Sequence, residues 1–188
     1  VKRTAARAVA AFGALGVLLA LAGGPARAGE YRIDPTHTTV HVEIDSGLST
    51  WRVRFNRPEG QIDFDRSAKT GRVDVSVAVA ALDSGAPSLN ALLRGATVLD
   101  GAAHERIRFA GDGFVFDGDR VSAVNGTLSL KGRSHALALK AQRFDCYTSP
   151  LFRREVCGGD FEAVLDRAAL GIGEGRAVLR VQVEALKM

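Results

Sequence analysis

From Gly29 onward, apolar and polar residues alternate with a period of two, as in strands that keep one face dry and the other wet. Trp51, Val53 and Phe55 alternate with Arg52, Arg54 and Asn56; Ile62 and Phe64 alternate with Asp63 and Asp65; Val73, Val75, Val77 and Val79 share one face. Further strands are predicted at Ile107 and Phe109, Phe114 and Phe116, Leu128 and Leu130, Leu137 and Leu139, Phe161 to Leu165 and Ala177 to Val183. Turn signals separate them at Arg57-Pro58-Glu59-Gly60, Gly111-Asp112-Gly113, Asp117-Gly118-Asp119, Lys131-Gly132-Arg133-Ser134 and Gly171-Ile172-Gly173-Glu174-Gly175. Eight or more strands joined by hairpins predict a barrel or a sandwich, because both hide most strand edges.

Two segments depart from the alternation. In Tyr31 to Asp45 the pattern stops at Asp34-Pro35 and resumes at Val40, Val42 and Ile44, since proline cannot donate to a ladder. Between Pro87 and Gly101, Leu89, Leu92 and Leu93 take the spacing of a helix face; Pro87 suits a first turn and Gly95 a stop, which predicts a short helix from Ser88 to Arg94. A lone helix in a β domain plugs a barrel end or lines the mouth of a cavity.

The first 28 residues change the picture of the charge. They have a basic start at Lys2, Arg3 and Arg7, an apolar run from Val9 to Ala22 and an Ala26-Arg27-Ala28 ending, the layout of a secretory signal peptide cleaved near Ala28. The run is shorter than the roughly 20 residues of a spanning helix. Val1 reads as a non-AUG start, which expects a bacterial precursor. Four of the 25 basic residues fall in this segment and none of the 21 acidic ones, so residues 29–188 carry a net charge of zero and give no argument for nucleic-acid binding. They form one domain of a size that buries a real core. In an exported chain, Cys146 and Cys157 predict a disulfide closing a short loop, against the alternative of two buried thiols.

Candidate chemistry is sparse. His37 and His41 have a helical ligand spacing, but on a strand four residues span about 13 Å, so they cannot share one metal ion, and no metal site is expected. His37 is expected to bond backbone beside the Asp-Pro break, and His41 to sit on the polar face. Asp63 and Asp65 share a strand face and could act as a carboxylate pair, although a solvated edge is the simpler reading. There is no Gly-x-Ser-x-Gly elbow, and Gly171-Ile172-Gly173 lacks the strand-to-helix setting of a nucleotide loop. The dry strand faces either fill the barrel or leave a tube for an elongated apolar ligand.

In order along the chain, several motifs resemble the YceI-like periplasmic proteins. Tyr31-Arg32-Ile33-Asp34-Pro35-Thr36-His37-Thr38-Thr39-Val40 is similar to that family's opening Y-x-I-D-P-x-H-S/T-x-V pattern. Arg54-Phe55, Gly60-Gln61-Ile62-Asp63-Phe64-Asp65, Ala81-Leu82-Asp83-Ser84-Gly85 and Asn125-Gly126-Thr127-Leu128-Ser129-Leu130-Lys131-Gly132 follow, and the Cys146 to Cys157 insert resembles a cysteine-bearing branch. The resemblance covers residues 30–187. It implies an extended lipocalin-like antiparallel β barrel of about eight strands with one short helix at the cavity. It also implies a long isoprenoid or amphiphilic lipid in the interior, and no catalytic residues. Val98-Leu99-Asp100 and Asp166-Arg167-Ala168-Ala169-Leu170-Gly171 stand where members often carry aromatics, so the pocket is expected to be reshaped.

These readings combine into a periplasmic, non-enzymatic carrier, with Trp51, Phe55, Phe64, Phe109 and Phe144 expected on the lipid. Leu89, Leu92 and Leu93 are expected on its chain and Asn90 or Arg94 near its head group. No cofactor is called for beyond a bound isoprenoid lipid or quinone. The expected partners are that lipid and a transient membrane or membrane redox protein. The rival readings are an enzyme using His37, His104 or the Asp63 and Asp65 pair, and a filled barrel acting through a redox partner.

Overall fold

The structure, a computed structural model, describes residues 29–188. The predicted signal peptide lies outside the described residues. Eleven strands form one antiparallel sheet: β1 (Gly29–Ile33), β2 (Thr39–Asp45), β3 (Thr50–Phe55), β4 (Glu59–Asp65), β5 (Thr70–Ala78), β6 (Leu82–Asp83), β7 (Arg106–Asp117), β8 (Arg120–Leu130), β9 (Arg133–Ser149), β10 (Arg154–Asp166) and β11 (Arg176–Lys187). The order β1-β4-β5-β7-β8-β9-β10-β11 closes on itself through β1–β11 pairing, giving an eight-stranded barrel. Closure leaves no free edge around that ring.

β1 and β2 are two halves of one broken stave. Both pair with β11, β1 through Ile33↔Ala185 and β2 through Val40↔Val181. Between them the Asp34 N–H still reaches the Glu184 carbonyl at 2.9 Å, and the Thr38 hydroxyl donates to the same carbonyl at 3.1 Å. Arg57-Pro58 likewise bends one run into β3, which pairs β2, and β4, which pairs β1. β6 then extends the wall beyond β3. The chain thus bends rather than reverses at Arg57-Pro58.

Gly111-Asp112-Gly113 is also not a turn. It is a bulge within the 12-residue β7, where the register with β8 shifts between Ala110 and Gly113. A bulge needs one unpaired residue and a locally tighter twist, which small residues tolerate, so glycine marks both devices equally in sequence. Phe109 and Phe114 therefore both pack against the core although their numbers differ in parity.

The helix α1 (Pro87–Arg94) begins one residue earlier than predicted, with Pro87 in its first turn and Gly95 following it. Only Leu93 is fully buried there. The barrel has two different ends. At the loop end lie the 95–105 connection, the β8–β9 turn and the 167–175 loop, the last two tied together where Lys131 Nζ donates to the Gly171 carbonyl at 3.1 Å. At the hairpin end lie the β4–β5, β7–β8 and β9–β10 turns. There the disulfide Cys146–Cys157 joins directly paired residues of β9 and β10.

Candidate ligand-binding cavity

Because strand side chains alternate, each stave sends every second residue inward, and in this barrel nearly all of those are Val, Leu, Ile or Phe. They enclose a cavity of about 190 Å³, against the roughly 10–15 Å³ that admits one water molecule. Val40 and Val42 of β2, Val73 and Val75 of β5, Leu137 and Leu139 of β9, and Val181 and Val183 of β11 supply much of the wall.

The few hydroxyls at its border are already engaged. The Thr38 hydroxyl is bound to the Glu184 main chain, and Ser76 Oγ accepts from the Arg106 guanidinium at 2.6 Å. Tyr31, only 3% exposed, donates to Glu155 Oε1 at 2.5 Å. Burial raises the Tyr31 pKa well above its ordinary value, and the Glu155 carboxylate raises it further, so the phenol stays protonated. The space therefore offers apolar contact and little else.

Aromatic rings close the hairpin end from inside. Phe64 of β4 meets Phe144 of β9 edge-on at 5.3 Å between centroids, and Phe114 of β7 at 6.0 Å; Phe144 continues to Phe161 at 6.4 Å. Such pairs contribute about 0.5–1.5 kcal/mol each beyond their buried area. Gly71 makes room for this plug: a Cβ there would lie 2.9 Å from the Phe114 ring. Outside it, Arg66 of the β4–β5 turn and Asp145 of β9 meet at 3.7 Å, bridging non-neighbouring strands.

Of the residues expected on a ligand, Phe55, Phe64, Phe109 and Phe144 line the cavity. Trp51 does not: it has the inward parity of Val53 and Phe55 but stands at the start of β3 beyond the enclosed part of the barrel, 42% exposed. None of Leu89, Asn90, Leu92, Leu93 and Arg94 lines it either. Leu92 is 57% exposed, and Leu89 and Leu93 pack on the core from the side. Asn90 Oδ1 accepts from the Ser84 N–H at 2.8 Å and from its hydroxyl at 2.7 Å, while Arg94 donates to the Leu82 carbonyl at 2.6 Å. These two polar groups hold α1 against β6 instead of facing the void.

The segment after the helix supplies what the helix does not. Leu99, together with Leu170 and Ile172 of the 167–175 loop, lines the cavity at the loop end. No strand period could reveal these three, although an apolar residue between glycines, as in Gly171-Ile172-Gly173, is a signal of a loop that turns inward. Tyr31 of β1 was legible from its alternation with Ile33 and also lines the cavity.

The titratable candidates lie outside. His37, whose side chain is 54% exposed, pairs with the Asp34 carboxylate at 2.8 Å rather than with backbone. That hydrogen bond raises the His37 pKa. Burial works to raise the Asp34 pKa, but hydrogen bonds from Thr36 and His37 outweigh it and hold it at about 2. His41 is on the outer face, its pKa lowered first by burial and then by Arg52, Arg180 and Arg54, partly countered by Glu43. Asp65 is buried, not on a solvated edge, because its carboxylate accepts from Ser67 and the Ala68 N–H in the β4–β5 turn. Among the described residues one group of three could hold a metal ion, Cys146, Glu155 and Cys157, but both its sulfurs are bound in the disulfide.

A family model described as the YceI-like domain matches residues 31–185. A curated UPF0312 protein of Delftia acidovorans is 58% identical over 40 residues, which is 21% of this chain; the match spans 62% of that relative's length. Three solved structures have the same fold. BcnA of Burkholderia cenocepacia is similar at a TM-score of 0.64 and 16% identity, over 81% of this chain and 98% of that one. The YceI protein of Campylobacter jejuni gives 0.65 and 15%, over 77% and 90%. A polyisoprenoid binding domain from Saccharophagus degradans, implicated in plant cell wall breakdown, gives 0.60 and 12%, over 84% and 98%.

Proposed function

We propose, from the premise that this chain belongs to the YceI-like family, that it is a non-enzymatic carrier holding the tail of a polyisoprenoid or similar long-chain amphiphile inside its barrel. The observation that carries the reading is a cavity of about 190 Å³ walled by aliphatic and aromatic side chains, whose bordering hydroxyls are bound to protein groups. Affinity then comes from removing apolar tail surface from water, at about 25 cal/mol per Å². The residues weighed for acid or base work, His37, His104, Asp63 and Asp65, contribute nothing to the wall. The name of the Saccharophagus degradans domain supports the ligand class. Export to the periplasm with cleavage near Ala28 belongs to the same reading.

Native mass spectrometry of protein purified from its own periplasm tests it. A stoichiometric lipid is expected with the wild type and absent with Phe55→Asp. Val181→Phe, which fills the void without adding charge, is expected to lose lipid while keeping a native circular dichroism spectrum. An empty wild type, or retention unchanged in folded Val181→Phe, removes the carrier reading.

A further inference from the structure

The β9–β10 hairpin overhangs the barrel and ends in Pro150-Leu151-Phe152-Arg153-Arg154. Leu151 is 80% exposed and Phe152 39% exposed, and Tyr147 on the same hairpin is 54% exposed. These side chains are not loose. The Arg153 N–H closes the turn onto the Ser149 carbonyl at 2.8 Å, the Phe152 N–H reaches the buried Ser149 hydroxyl at 3.3 Å, and the disulfide pins the base of the hairpin. An exposed apolar tip held in one shape loses little conformational freedom on binding.

Charge says what it fits. Among the described residues neither Arg153 nor Arg154 has a salt-bridge partner. The nearby carboxylates are already engaged: Glu155 accepts from Tyr31 and pairs with Lys187 at 3.6 Å, and Asp145 pairs with Arg66. The tip therefore couples aromatic and aliphatic side chains to two unpaired guanidiniums, the pairing of chemistries suited to a headgroup layer. A second apolar tip, Leu48 of the β2–β3 turn and Trp51 at the start of β3, lies at the opposite end of the barrel. It carries Asp45, and its Arg52 is already bound to Glu43 at 2.6 Å.

We propose that the β9–β10 tip docks the protein on an anionic lipid surface, with Leu151 and Phe152 at the acyl boundary and Arg153 and Arg154 on lipid phosphates. The docking goes beyond the carrier reading and does not depend on what the cavity holds.

Co-sedimentation with vesicles tests it, comparing phosphatidylcholine alone with phosphatidylcholine containing phosphatidylglycerol. Every protein in the series has the same N-terminus, so that segment cancels. The wild type is expected to bind the anionic vesicles preferentially and to release in high salt. Arg153→Glu with Arg154→Glu should weaken binding by at least about 25-fold, at about fivefold per arginine near the surface. Leu151→Ser with Phe152→Ser should weaken it on the order of tenfold or more. Leu48→Ser with Trp51→Ser should leave it unchanged. Equal binding to neutral vesicles, binding unaffected by the arginine variant, or loss in the Leu48 and Trp51 variant each overturns the proposal. A tip-dependent dimer in sedimentation velocity, with no vesicle binding, assigns the surface to a second copy and overturns it as well.

Discussion

At the hairpin end, Phe64, Phe114, Phe144 and Phe161 form a chain of ring contacts backed by a covalent cross-link, whereas at the loop end the cavity is bounded by Leu99, Leu170 and Ile172 from connecting segments. The first closure rests on strand side chains from β4, β7, β9 and β10, with Phe64 and Phe161 paired to strands on both sides and Phe114 and Phe144 on one. The second rests on segments with no strand partner. Local openings concentrate where buried apolar contacts and ladder bonds are few. For a barrel that holds a ligand as proposed, the difference predicts passage at the loop end and a fixed floor at the hairpin end, and each end can be tested separately.

The largest expected effect comes from breaking the floor. Phe64, 4% exposed, touches Phe114, Phe116 and Phe144, so Phe64→Ala should cost about 3–5 kcal/mol in urea unfolding. It should also lengthen the cavity, which at about 190 Å³ is below the roughly 300–1,000 Å³ typical of small-molecule sites. Native mass spectrometry of the variant should show longer bound chains than the wild type; a shorter or unchanged chain would mean that the rings do not bound the site.

Removing the cross-link should cost somewhat less. Replacing both Cys146 and Cys157 with serine opens a loop of sequence separation 11, worth about 3 kcal/mol in the chain-entropy model. Amide exchange should quicken from Tyr147 to Val156 and stay unchanged at Leu170 and Ile172. Equal quickening at both ends would show that they unfold as one unit and dissolve the contrast.

The seam between the ends gives a third, smaller effect. Asp34 titrates at about 2 in the fold against an ordinary 3.8, so its carboxylate stabilises the fold above pH 3.8 and that contribution is lost as pH falls toward 2. The full loss is on the order of 2 kcal/mol, and Asp34→Asn should flatten the stability profile between those values. His37 runs the other way: its pKa is raised in the fold, so its contribution is present below 6.5 and lost as pH rises through the raised value. An unchanged acid limb in Asp34→Asn would show that the break is held by the main-chain bond from Asp34 to Glu184 and not by the carboxylate.

What was legible in the sequence follows this same division. Alternation at Phe55, Phe64 and Phe109 placed each on the wall, because a strand's period survives whatever packs against it. It failed at Trp51, where parity is right but the barrel has ended, since alternation carries no information on how far a strand extends past its neighbours. It failed for α1 as well. Leu89, Leu92 and Leu93 do form one helix face, but a face says that something is covered, not what, and the helix covers the flank at β6. The bulge in β7 depends on its register against β8, which spacing along one strand does not record, and Ile172 lies in a loop, where no strand period applies.

The smallest effect on stability should be the most informative about passage. Ile172 is half-buried and lies in a loop held by main-chain bonds such as Ile172 N–H to the Arg167 carbonyl at 3.0 Å. Ile172→Ala leaves those bonds intact and should cost about 1 kcal/mol, below the range for fully buried residues. If the loop end is the entrance, thinning it should speed exchange of a bound lipid with acceptor vesicles, while Phe64→Ala leaves that rate unchanged. Exchange accelerated by Phe64→Ala and not by Ile172→Ala would reverse the assignment and make the ring cluster the gate.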